Sequence, residues 1–289
     1  MCLEKPIFIT GSGRNGSSAF ARNFTRHPRI AYLSVFCRKF PAHRWINQLL
    51  MRAIDLPLIG GYFTERAHTD ESYPLWDYHC PGFSHPCRDF GPEDVTVRNR
   101  KAITRVLPKM LTNKRNRLMI KVTGWPRLGF FRELFDDAKF IHLVRDGRAV
   151  ANSFINVEWW VGWRGTMNWR CGELTPAQRE LWERYNRSFI VLAGIQWMIF
   201  MDAMENARKY VKPENFMQLK FQDTCSDPVG VFRKVLEFCE LEWSHRFEKR
   251  ILAYPPRNTN HKWKKDLTPA QQKALEEVTH EYLQRYGYV

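Results

Sequence analysis

Between Ile7 and Ser18 the chain reads IFITGSGRNGSS: an apolar β-type run breaks into a glycine-rich loop and passes directly into a helical stretch, AFARNFTRH. A loop so placed leaves backbone N–H groups unpaired at the positive end of a helix, where they hold a phosphate-like anion. The order of strand then helix recurs. Strands are predicted at 6–10, 29–34, 117–122, 139–144 and 215–220. Helices are predicted near 16–26, 41–54, 95–113, 127–135, 147–157, 176–209 and 227–239, with a last one from Pro269 to Arg285 capped by Thr268. This alternation predicts an α/β fold of three layers, a central, mainly parallel sheet with helices on both faces. A chain of 289 residues with 44% hydrophobic content can bury one sizeable core, so residues 1–289 are expected to form a single domain. Segments 57–94 and 158–172, rich in Pro, Gly and aromatics, fall outside the alternation and are expected to form loops above the sheet.

The first loop is close to a Walker A sequence but departs from it chemically. Gly11 and Gly16 keep the G-x-x-x-x-G spacing, yet the Lys-Ser/Thr pair that should follow is Ser17-Ser18, and the cation moves forward to Arg14. Without the lysine that reaches the β/γ-phosphates, Mg-ATP hydrolysis is disfavoured. The bland alternative is a strand-to-helix turn with no ligand. A second segment, KFIHLVRDGRAVANSF at 139–154, is a buried-type strand, then Arg145, a turn at Asp146-Gly147 and a helix carrying Ser153. An arginine at the carboxyl end of a strand stands where open α/β sheets hold ligands, and its fork can grip a phosphate with two N–H bonds. Taken alone, Arg145 and Asp146 have a surface ion pair as their lesser alternative.

Together these segments resemble the PAPS-dependent sulfotransferases, in the bacterial-type branch whose loop begins G-S-G-R. The family's 5′-phosphosulfate loop is matched by Gly13, Arg14, Asn15, Gly16, Ser17 and Ser18, and its 3′-phosphate site by Arg145 and Ser153 at the family spacing of eight. RLMIKVTGWP at 117–126 resembles the strand that carries a lysine toward the transferred group; Lys121 precedes Arg145 by 145 − 121 = 24 positions, as in the family. MQLKFQDTCSDPVGVFRKVLEFCELEW and the terminal HKWKKDLTPAQQKALEEV also look like family segments. The resemblance spans nearly the whole chain and implies a P-loop NTPase-like fold. It also implies PAPS (3′-phosphoadenosine 5′-phosphosulfate) as donor with PAP as product, a small-molecule acceptor and no required metal.

Departures from the family pattern limit the transfer of roles. Thr123 stands where cytosolic relatives carry a histidine base, Ala19 where they stack tryptophan on adenine, and Phe221 where they have tyrosine; Phe221 is retained as a nucleotide-site candidate. Arg257 and Lys262 are candidates for the 3′-phosphate, although PPRNTN lacks the usual Arg-Lys-Gly. Sulfuryl transfer needs a group to take the acceptor's proton. The segment TERAHTDESYPLWDYH offers Glu65, His68, Asp70, Glu71, Asp77 and His79. Glu71 is preferred because bacterial-type relatives often carry a glutamate before an aromatic-rich stretch, with His68 and His79 as alternatives. Arg14 and Lys121 are the expected donors to the charge that grows on the leaving oxygen. Trp159, Trp160, Trp163 and Trp169 suit either an apolar cap over the acceptor or packing beneath a loop.

Net charge is +15, but the basic residues are scattered and no nucleic-acid motif accompanies them, so no nucleic-acid partner is expected. A donor with about four negative charges accounts for part of the excess. Seven cysteines without a disulfide-like framework point to reduced thiols. His79, Cys80, His85 and Cys87 in HCPGFSHPC can be written as a metal set, but two prolines and irregular spacing favour a coil, and no metal is expected. No apolar run approaches the roughly 18 residues of a membrane span. The first strand begins almost at once, so no signal peptide, no stable membrane insertion and a cytoplasmic location are expected. A flat or amphipathic acceptor suits the tryptophan-rich loop, which points to secondary metabolism. A P-loop kinase or other phosphotransferase is the alternative activity, and a basic, non-enzymatic adaptor a third reading.

Overall fold

A computed structural model describes residues 3–84, 87–167 and 169–289. Five strands, β1 (Ile7–Thr10), β2 (Ile30–Tyr32), β3 (Arg117–Lys121), β4 (Lys139–Val144) and β5 (Phe216–Lys220), form one sheet in the order β2-β3-β1-β4-β5. Every pairing is parallel. Residues of β1 to β4 are all buried, which is why those strands read as continuous apolar runs rather than alternating ones. Ile9 pairs with Lys121 on one side and Ile141 on the other. The chain leaves β1 toward the β2–β3 half and later returns to the β4–β5 half. The loop after β1 therefore sits at the point where strand order reverses, the usual ligand crevice of an open α/β sheet.

The helices around the sheet are α1 (Ser17–Phe24), α2 (Val35–Lys39), α3 (Arg44–Ala53), α4 (Gly60–Arg66), α5 (Tyr73–His79), α6 (Val97–Val106), α7 (Leu128–Leu134) and α8 (Gly147–Ile155). They continue with α9 (Pro176–Arg184), α10 (Phe189–Arg208), α11 (Phe221–Ser226), α12 (Pro228–Phe238), α13 (His245–Leu252), α14 (Trp263–Asp266) and α15 (Pro269–Arg285). Phe8 of β1 stacks on Phe131 of α7 at 4.2 Å and on Phe140 of β4 at 5.3 Å, so the central strand is locked by aromatic contacts. A second cluster ties α8, α10 and α15 together around Trp197 and Leu275. Among the described residues no helix is long and apolar enough to cross a membrane.

All five strands fall within their predicted ranges, and the helices differ where local chemistry intervenes. The run predicted as one helix over 176–209 is two, because Asn186 and Arg187 adopt left-handed backbone angles of 52° and 55° and the Arg187 N–H closes back on the Trp182 carbonyl. The helix predicted over 95–113 ends at Val106 and tightens into a 3-10 turn that contains Pro108. Segment 57–94 is not merely loop: it holds α4 and α5, the latter started by Pro74 in its first turn. Of the metal set written from the sequence, His85 lies outside the described residues. Among the described residues no three His, Cys, Asp or Glu side chains gather as a metal site.

Candidate active site

The glycine-rich loop is held from both neighbouring strands. The Asn15 side-chain amide donates to the Leu143 carbonyl of β4 at 2.8 Å, and its oxygen accepts the Ser17 N–H at 3.3 Å. On the other side the Gly124 N–H donates to the Gly11 carbonyl at 2.8 Å. Gly16 caps α1 with φ of 88°, and a Cβ there would run into the Phe221 ring, so glycine is required both for the backbone angle and for the space. Phe221 is buried beneath the loop as the first residue of α11. Among the described residues the backbone N–H groups of Arg14, Asn15, Gly16 and Ser18 have no acceptor. Unpaired amides of this kind at a helix start form an anion-binding concavity.

Lys121, at the end of β3, reaches this loop. Its Nζ donates to Ser18 Oγ at 3.0 Å and stands 3.6 Å from Glu71 Oε1. Glu71 comes from the 57–94 segment and is fixed by Thr123, whose Oγ1–H donates to Oε1 at 2.8 Å and whose N–H donates to Oε2 at 3.3 Å. The carboxylate is thus gripped on both oxygens while still partly open to solvent. The Tyr73 hydroxyl donates to the Thr123 carbonyl at 2.9 Å, and burial, reinforced by the Glu71 charge, pushes its pKa far above the ordinary phenol value. Tyr73 therefore stays protonated as a donor that holds the strap carrying Glu71.

The other end of the loop meets β4. Arg145 is nearly buried, and its guanidinium donates through Nη1 to the Arg14 carbonyl at 2.9 Å, through Nε to Asn260 Oδ1 at 2.8 Å and through Nη2 to Thr259 Oγ1 at 2.9 Å. Burial draws its pKa down from the usual arginine value. Three of its five N–H groups are used in this way, and one on each terminal nitrogen is left over. The Arg14 guanidinium donates to Ser153 Oγ at 2.9 Å, joining the loop to α8, and burial also lowers its pKa. Asp146 caps α8 and pairs with Arg148 at 2.8 Å. The surface ion pair considered for Arg145 and Asp146 is therefore replaced by one between Asp146 and Arg148.

These contacts bring Glu71, Lys121 and Ser18 into one cluster and Arg14, Arg145 and Ser153 into another, with Gly13 to Ser17 between them. His68 is exposed, and its backbone carbonyl accepts from the Val35 N–H. His79 ends α5, where burial and then the Arg44 charge lower its pKa; no contact of its side chain reaches the loop. Asp77 is occupied by the Ser84 N–H at 3.0 Å, and Glu65 is exposed. Arg257 and Lys262 are exposed, and no side-chain bond of theirs meets Arg145. Thr259 and Asn260 in the same segment do, and the sequence reading passed over them. Thr123, set aside as unable to act as base, proves to be the residue that fixes the Glu71 carboxylate. Trp160 and Trp169 are buried packing residues, whereas Trp159 and Trp163 are exposed; Trp159 meets Phe154 edge-on at 6.1 Å.

The sequence matches the sulfotransferase family over residues 6–245, and the chain belongs to that family. It is 24% identical over 199 residues to the omega-hydroxy-beta-dihydromenaquinone-9 sulfotransferases of Mycobacterium bovis and Mycobacterium tuberculosis. That match takes in 68% of this chain and 47% of each relative, so the chain spans about half the length of the curated relatives it matches. Among solved structures it resembles a sulfotransferase domain from the curacin biosynthetic pathway, at 14% identity and TM-score 0.55, covering 98% of both chains. It also resembles a sulfotransferase from Mycobacterium avium, at 16% identity and TM-score 0.56, covering 99% of this chain and 77% of the other. At these identities the likeness shows the shared P-loop NTPase-like fold.

Proposed function

We propose that residues 1–289 act as one sulfotransferase unit that moves a sulfuryl group from PAPS to a hydroxyl or amine of a small-molecule acceptor, with Glu71 as the general base. The observation that carries this reading is the Lys121–Glu71 pair at 3.6 Å, joined to the anion loop through Ser18. The site suits a doubly anionic nucleotide. Unpaired amides of residues 14–16 and 18 offer donors for one phosphate end, and the spare N–H groups of Arg145, with Arg14 and Ser153, offer donors for another. A Mg-ATP reading lacks its lysine in the loop. Bound there, PAPS supplies an activated sulfuryl group and needs no metal, because the basic residues already provide cations.

The residues' own tasks follow from their contacts. Glu71, oriented by Thr123 through both carboxylate oxygens, accepts the acceptor's proton. Lys121 sets its positive charge beside Ser18, at the end of the loop where negative charge grows during transfer. The acceptor enters between the 57–94 and 158–172 segments: Tyr73 closes one wall, and Phe154 beside Gly13, covered by Trp159, closes the other.

A thermal-shift comparison tests the reading, since a ligand bound only by the folded state raises Tm. PAP without metal is expected to stabilise the protein, and Arg145→Ala to abolish that shift while the chain stays folded by circular dichroism. Stabilisation by Mg-ATP and not by PAP would instead establish a kinase-type site and overturn the proposal.

A further inference from the structure

We propose that the face formed by α3, the turn after it and the start of α4, together with the C-terminal end of α6, is a docking surface for an anionic phospholipid bilayer. α3 is held to the protein by Asn47, Leu50 and Met51, yet it turns Trp45 and Leu49, one helical turn apart, toward solvent. The chain then adds Leu56, Leu58, Ile59 and Tyr62, all of them exposed. Leu58 is fully exposed at 103% and holds a left-handed φ of 68°, so a branched apolar side chain is carried outward at the tip on an unfavourable backbone angle. Apolar residues scattered singly need no explanation, but six within 18 positions (62 − 45 + 1) form a patch.

Charge identifies the occupant. Residues 35–64 contain one acidic side chain, Asp55, and it is taken by Arg115 at 3.0 Å and Lys114 at 3.4 Å. The segment 97–117 contains none. Where the turn after α6 packs on α3, the two line a groove of about 520 Å³ with Arg44, Arg105 and Lys109 around Trp45. Arg52 follows Leu49 on the exposed side of α3. Aliphatic tips, an indole and free cations on one face match a membrane interface whose headgroups are negative. A second copy of the chain would set this positive face against itself, which like charges oppose. A nucleic acid would leave Leu56, Leu58 and Ile59 without a partner, because its outer face is phosphate.

The face and the candidate active site share one stretch of chain: α4 leads within nine residues (71 − 62) from Tyr62 to Glu71. Docking here would present the acceptor opening to amphipathic molecules held in a bilayer. Membrane attachment is independent of sulfuryl transfer, and it is read without turnover.

Co-sedimentation of the full chain with phosphatidylcholine vesicles, with or without phosphatidylglycerol, tests the proposal. Binding is expected only to vesicles that contain phosphatidylglycerol, and it should fall steeply as salt is raised. Arg52→Glu or Arg105→Glu should weaken it by about fivefold or more, and Leu58→Asp or Trp45→Ala by about tenfold, with unfolding curves unchanged because these side chains are exposed. The proposal is overturned if no vesicles bind or if Leu58→Asp binds as well as the parent. It is equally overturned if light scattering shows a dimer that Leu58→Asp dissolves, or if an oligonucleotide binds this face and vesicles do not.

Discussion

Glu71→Gln replaces one carboxylate oxygen with an amide and removes the capacity to take a proton, while the side chain keeps its size. The remaining oxygen can still accept the Thr123 Oγ1–H bond, now 2.8 Å, so the strap should keep its place. What disappears is the proposed base and the partner charge of Lys121 at 3.6 Å. General-base catalysis contributes about 10²–10⁴ in rate, equivalent to about 3–5 kcal/mol of barrier. Glu71 bonds Thr123 and Lys121 and makes no hydrogen bond to residues 11–18 or to Arg145, so PAP affinity should change by less than about threefold. The decisive assay pairs single-turnover PAP release, with an identified acceptor, against calorimetric PAP binding. Turnover within about fivefold of the parent would refute Glu71 as base. Equal losses of turnover and PAP affinity would show that Glu71 holds the nucleotide instead.

Gly16→Ala should cost about 2 kcal/mol or more in urea unfolding, since alanine at positive φ is strained and its Cβ meets Phe221; an unchanged midpoint would contradict the geometry. Thr259→Ala with Asn260→Ala should weaken PAP binding by about tenfold in calorimetry by releasing the Arg145 guanidinium, and tighter binding would mean that these residues compete with the ligand. His142, buried in β4, has its pKa lowered to about 4 by burial. Its folded pKa lies below the unfolded value near 6.5, so the unfolded chain gains the proton first and stability falls as pH drops from about 6.5 toward 4, by up to about 3 kcal/mol. His142→Leu should flatten that part of the profile of unfolding free energy against pH, and an unaltered slope would assign it to other groups.

The sheet was legible because each strand of its interior is buried on both faces and so advertises itself as an unbroken apolar run, IFIT or KFIHLV. Lys121 was legible through the resemblance of RLMIKVTGWP to the family strand that carries a lysine, and its place beside the loop follows from β3 pairing with β1. Other features depend on three-dimensional closure. Thr259 and Asn260 lie more than a hundred positions from Arg145 and sit in a segment with no periodic pattern, so nothing local marks them. The direction of the Arg14 side chain, toward Ser153 rather than toward Lys121, accompanies a backbone φ of 52° that residue type alone does not announce. The break at 185–188 rested on two successive left-handed residues, of which only Asn186 carries a recognisable preference.

The bonds from Arg145 to Thr259 and Asn260 have a consequence for synthesis on the ribosome. The glycine loop is translated well over two hundred residues before Thr259 and Asn260, yet the guanidinium that grips its carbonyl is steadied by those two side chains. A nascent chain will hold the glycine-rich turn long before it holds the complete Arg145 cluster, so the proposed nucleotide site is assembled only after residue 260 has left the ribosome.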